Sequence, residues 1–180
     1  MIRKRSWIAF LLGVTLLGSS VALQAREETL EITMPWDGQG TIYFIGVDKR
    51  LFMGAFEGIM YIKTDKGELD AAFADCPAAM HIDVKSKATS ASGYCMISPS
   101  EGNSVFAEWS CEGEVGVCKG KFTLTGGTGE LEGITGSSEI KIRSVMGPLL
   151  LGMADGSTLR AASGLAVLPK LTYQVPDKKQ

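Results

Sequence analysis

The sequence predicts an all-β fold, a single antiparallel barrel of roughly eight strands. Three observations carry that expectation: glycines are frequent (22 in 180 residues), short apolar alternations recur between turn signals, and helical periods are scarce. No internal repeat and no low-complexity tract interrupts the pattern.

The chain opens with the three parts of a secretory leader: Arg3, Lys4 and Arg5, then the apolar run Trp7 to Leu17, then small and polar residues through Ala25. Cleavage after Ala22 or after Ala25 both fit. The run is far shorter than the roughly 20 residues that span a bilayer, so an export signal over residues 1–25 is expected in place of an anchor, and the destination is periplasmic or secreted. The domain then occupies 26–176, and 177–180 form a disordered tail. Loss of the leader leaves a mildly acidic protein, since Arg3, Lys4 and Arg5 are basic and no acidic residue precedes Glu27. That balance argues against nucleic-acid binding and against adhesion to anionic lipid, both of which need clustered positive charge. No membrane span is expected in the mature protein; its oligomeric state is left open.

Candidate strands are Glu28–Met34, Gly40–Val47, Leu51–Thr64, Glu68–Asp75, Met80–Lys85, Thr89–Ile97, Asn103–Cys111, Val117–Thr125, Glu130–Arg143 and a stretch within Gly164–Val175. About eight of them close the barrel. In Leu51–Thr64, alternation places Phe52, Phe56, Met60 and Ile62 on one face and Met53, Glu57, Ile59 and Tyr61 on the other. The apolar stretch Val145–Met153, broken by Gly147-Pro148, is expected to be a loop across the barrel mouth.

Four cysteines in an exported chain point to two disulfides. Their wide spacing and the single histidine, His81, speak against a zinc site, and no metal is expected. Pairing Cys111 with Cys118 across a hairpin puts Trp109 opposite Gly120, Ala107 opposite Phe122 and Val105 opposite Leu124, all on one face, with a longer loop and a glycine bulge at the turn. The second bridge is then Cys76 to Cys95.

The stretch Gly120-Lys-Phe-Thr-Leu-Thr-Gly-Gly-Thr-Gly-Glu-Leu-Glu-Gly-Ile-Thr-Gly136 resembles the G-x-F-x-L-x-G-G-T-G-x-[FL]-x-G-x-x-G signature of dirigent proteins, allene oxide cyclases and bacterial proteins of the same barrel type. The resemblance implies a calycin-like barrel of eight antiparallel strands with an apolar interior, in an exported bacterial-type member. Gly126, Gly127, Thr128 and Gly129 are read as a tight turn between strands, with Gly133 and Gly136 allowing a bulge and close packing after it. A phosphate-binding loop is disfavoured because no lysine follows these glycines at the required spacing.

Catalytic residues are not identified by any motif. The candidates are Glu57 with Tyr61, an interior acid and its hydroxyl partner in a cyclase, against a surface carboxylate on an imperfectly amphipathic strand, the preferred reading. His81 and Asp83 share a strand face, more simply as an exposed pair than as acid and base. No serine-hydrolase elbow and no cofactor motif is present, and no cofactor is expected. Trp109, Phe122, Tyr43 and Phe44 are candidate ligand-binding aromatics. The leading functional expectation is non-enzymatic binding of a small hydrophobic ligand or a protein partner. The alternatives are a cofactor-free cyclase or isomerase working inside the barrel, and an interaction protein whose core is filled.

Overall fold

A computed structural model describes residues 26–145 and 158–176. Eight strands follow in chain order: β1 (Arg26–Phe44), β2 (Lys49–Thr64), β3 (Leu69–Asp83), β4 (Ala88–Ser100), β5 (Asn103–Glu114), β6 (Val117–Gly127), β7 (Thr135–Ser144) and β8 (Thr158–Val175). Each pairs antiparallel with the next, and β1 pairs with β8, so the sheet closes into a barrel. The expected fold class is therefore the one observed. The leader, the stretch 146–153 of the expected mouth loop and the tail 177–180 lie outside the described residues.

Ten candidate strands become eight because two pairs are continuous. Glu28–Met34 and Gly40–Val47 belong to β1, and Glu68–Asp75 and Met80–Lys85 belong to β3. Pro35 and Gly38 lie within β1, and Pro77 lies within β3. Prolines lack the donor for the ladder, yet Pro77 sits on the outer face of β3 between stretches that pair normally with β4, so the strand runs on through it.

Alternation is strict where it matters. Val105, Ala107, Trp109 and Cys111 of β5 are buried while Phe106, Glu108 and Ser110 face outward. Closure is helped by β8, which carries an extra residue against β1 in two places, once between Leu168 and Leu171 beside Pro169 and once between Leu159 and Ala162. Such bulges bend and coil a strand, which a barrel this narrow requires.

The β5–β6 hairpin corrects the expected register by two residues. Cys111 pairs with Gly120, Trp109 with Phe122 and Ala107 with Leu124. A slip of two keeps every side chain on its expected face, so the alternation could not detect it. Turn chemistry decides: the connection is the two-residue Val115-Gly116 between the paired Glu114 and Val117, and Gly116 takes φ +91°. The alternative register would have put Val115 in that left-handed position, where a β-branched residue is strained. The longer loop expected there is not formed.

Indoles do cover bare backbone, though not at Gly120. Trp109 lies over Gly93 and Trp36 over Gly164, each directly across a strand pair.

The Gly126–Gly129 segment is also not a tight turn. Gly126 and Gly127 still belong to β6, and a short 3-10 turn (Gly129–Leu131) begins a longer connection that ends at β7. Gly129 takes φ +62°, and the loop is pinned to β5: Thr128 Oγ1 accepts from Ser104 N at 3.0 Å, and Asn103 Oδ1 accepts from Glu130 N at 2.8 Å. Gly133 also has a positive φ. Gly136 packs so closely on Thr172 and Tyr173 of β8 that a side chain would clash with backbone, as the close-packing expectation had it.

Candidate functional site

The barrel interior divides along its axis. At the end where β1, β3, β5 and β7 begin, Ile32, Ile97, Val105, Leu124, Ile134 and Leu171 are all buried and form a solid aliphatic plug. Toward the opposite end the interior opens into a cavity of about 80 Å³. A single water needs only ~10–15 Å³ of such space, so the cavity has room for several heavy atoms.

The wall of that cavity is aromatic and rich in sulfur. Trp36, Phe52, Phe56, Trp109 and Phe122 line it, together with Met34, Met60 and Met80 and the four cysteines. Phe56 sits among the rings, 5.0 Å from Trp36, 5.5 Å from Phe52 and 6.3 Å from Trp109 between centroids, edge-on to both indoles. Edge-on and tilted arrangements are the ones the ring quadrupole favours.

Both disulfides face this space. Cys76–Cys95 joins β3 to β4 with Cα atoms 4.1 Å apart, and Cys111–Cys118 joins β5 to β6 with Cα atoms 5.6 Å apart. The second bridge is diagonal, each cysteine having a glycine directly opposite: Gly120 faces Cys111 and Gly113 faces Cys118. A Cβ at either glycine would run into the neighbouring backbone, so glycine is what lets these two strands approach beside the bridge.

The mouth is formed by Thr89 at the start of β4, Glu114 at the end of β5, Gly116 and Val117 in the hairpin turn, and Ser144 at the end of β7. Glu114 is the one carboxylate among the described lining residues, and it is exposed. The buried polar or charged side chains among the described residues are Arg50, Thr89 and Ser138. Arg50 donates from Nη1 to the carbonyls of Val47 and Lys49, both at 3.1 Å, and its guanidinium stacks on the Phe44 ring 3.9 Å from the centroid.

Of the candidate ligand-binding residues, Trp109 and Phe122 line the cavity, whereas Tyr43 and Phe44 do not. They lie at the end of β1, 48% and 53% exposed, Tyr43 on the outer face and Phe44 on the rim under Arg50. Val105 and Leu124, expected on the same wall as Trp109, belong to the plug. The interior-acid reading of Glu57 and Tyr61 is corrected: both are exposed on the outer wall, because the inward face of β2 is the one that carries Phe52, Phe56 and Met60. His81 and Asp83 do not form a couple either. Asp83 accepts from Lys49 Nζ and from Ser86 N at 2.9 Å, and these bonds hold its carboxyl well below the usual carboxylate range.

Sequence reasoning missed Met34, Met60, Met80, Phe52 and Phe56 as lining residues. The alternation had put Phe52, Phe56 and Met60 on one face, but both faces of β2 are apolar, so nothing local said which turned inward.

No protein-family model matches the chain, and no curated protein does. Among solved structures, that of a pterocarpan synthase dirigent protein is similar, with 10% sequence identity over 87% of this chain and 91% of the other and a TM-score of 0.40. A likeness that distant carries no functional weight; the strand pairing alone establishes the closed eight-stranded antiparallel barrel.

Proposed function

We propose that this chain is an exported barrel protein that takes up a small hydrophobic molecule in its interior and holds it without converting it. The observation that carries the reading is the apolar cavity walled by aromatic rings and sulfur atoms. Apolar pockets with few polar groups suit binding by burial of surface, and polarisable sulfurs beside aromatic rings favour a polarisable guest. The cyclase alternative calls for a carboxylate aimed into the interior, and Glu57, its candidate, is on the outside. Export is supported by the leader pattern in residues 1–25 and by two disulfides, which persist in oxidising compartments.

The protein carries its own reporter, because Trp36 and Trp109 both line the cavity. Titration of the mature protein with iodobenzene, a small apolar heavy-atom quencher, is expected to give saturable quenching of tryptophan emission. Quenching that stays linear with concentration, as for free tryptophan, would sink the binding reading and favour a filled core. Chemical conversion of a bound polyene or epoxide would instead establish the cyclase.

A further inference from the structure

The outward faces of β2 to β5 do not look like a solvated wall. Ile59 and Tyr61 on β2, Phe73 on β3, Tyr94 and Met96 on β4 and Phe106 on β5 all point outward and are 40% to 67% exposed. The strand registers make them neighbours. Ile59 pairs with Phe73, Met96 pairs with Phe106, and Tyr94 and Met96 are two apart on one strand. With strands about 4.8 Å apart and outward residues about 6.8 Å apart along each strand, each outward residue covers about 33 Å², so these six cover roughly 200 Å² of the face. Large apolar side chains grouped in this way, where ordinary surfaces scatter them singly, make the face a candidate interaction site.

Three carboxylates run into the middle of it. Asp37, Glu57 and Asp75 occupy one row across β1, β2 and β3, each directly opposite the next, and the row continues through Met96 to Phe106. Like charges directly opposite one another destabilise a sheet, and no ion pair to a basic residue of this chain is found at any of the three among the described residues. Asp75 Oδ1 is shielded from water and has no hydrogen-bond partner. That shielded carboxylate adds its charge to the exposed ones of Asp37 and Glu57, and the row together attracts a cation.

We infer that this face docks a protein segment that presents a lysine or arginine between apolar side chains, the cation meeting Asp75 and Glu57 and the apolar neighbours covering Phe73 and Met96. The charge row selects against the other occupants. An anionic lipid surface is repelled by three aligned carboxylates. A second copy would bring the same acidic row against itself in a two-fold dimer, and the patch is smaller than the roughly 800 Å² per partner of a standard stable interface.

Two fluorescein-labelled probe peptides test this on the full mature protein by fluorescence anisotropy: Gly-Leu-Lys-Leu-Lys-Leu-Gly and its glutamate counterpart Gly-Leu-Glu-Leu-Glu-Leu-Gly. The lysine peptide is expected to bind and the glutamate peptide to bind at least tenfold more weakly. Both Met96→Ser and the double variant Glu57→Gln, Asp75→Asn should weaken the lysine peptide at least fivefold, while circular dichroism and iodobenzene quenching stay unchanged. Higher salt should weaken wild-type binding. Equal binding of the two peptides, or no binding of either, overturns the inference. So does a dimer in analytical ultracentrifugation that Met96→Ser abolishes, which would assign the face to a second copy, and so does sedimentation with phosphatidylcholine vesicles lost in the same variant, which would assign it to lipid.

Discussion

Ala166→Leu asks whether the space inside the barrel is empty. Ala166 is buried on β8, between Met34 of β1 and Ile142 of β7, and its methyl group lines the cavity. Leucine adds three carbons. If they enter vacant apolar space, their burial contributes about 2.4 kcal/mol, from which ~0.5–1 kcal/mol of lost rotamer freedom is subtracted. The net gain is about 1.5 kcal/mol, which for a domain of this size raises Tm by roughly 3–6 °C. The same side chain occupies the guest's position, so saturable iodobenzene quenching should disappear. Thermal unfolding followed by circular dichroism, with the quenching titration on the same sample, reads both effects. A fall in Tm would refute the reasoning, because forcing three carbons into a packed core costs about 1–3 kcal/mol. A rise in Tm with quenching unchanged would place the guest elsewhere.

Two further expectations follow from the bridges and the rim. The residue separations of 19 for Cys76–Cys95 and 7 for Cys111–Cys118 give unfolded-state restrictions of about 3.3 and about 2.5 kcal/mol in the loop-entropy treatment. Urea unfolding of the paired Cys→Ala variants should therefore show the larger loss for the first bridge, and intact mass of the exported wild type should show both bridges on a chain beginning at Leu23 or Arg26. At the rim, Lys49 and the Ser86 amide lower the Asp83 carboxyl below its ordinary value of 3.8. The folded state thus resists protonation more than the unfolded one. Its stabilising contribution is complete above about pH 4 and is lost as the pH falls further, through the lowered folded-state value. The stability difference between wild type and Asp83→Asn, from urea melts, should be constant at higher pH and shrink below about pH 4; a difference that grows there would contradict the assignment.

How far the sequence could be read depended on the range of each signal. Period-two alternation is local, and it assigned faces correctly along β5 and β6. Register is a property of two strands at once: a shift of two residues preserves every face, and the left-handed position at Gly116 was the feature that distinguished the pairings. In β2 the same alternation was clear but ambiguous, because Ile59 and Tyr61 make the outer face as apolar as the one carrying Phe56 and Met60. That ambiguity concealed Phe52, Phe56 and Met60, the part of the cavity lining that β2 supplies. The cavity itself had no local signature, since it arises where rings from β1, β2, β5 and β6 meet without filling the space between them.

The apolarity that obscured β2 also separates the two surfaces argued for above. A strand that served only as a barrel wall would be polar outside, as β6 is at Lys119 and Lys121. On β3 and β4, by contrast, outward Phe73, Tyr94 and Met96 alternate with inward Ala74, Cys95 and Ile97, so each face is apolar for its own reason. A substitution at Met96 projects away from the lumen and leaves the cavity wall as it was. One at Ala166 projects into the lumen on the far strand and leaves the outer face intact. The interior guest and the outer partner consequently fail or survive independently: Met96→Ser should weaken the peptide and spare the quenching, and Ala166→Leu should abolish the quenching and spare the peptide.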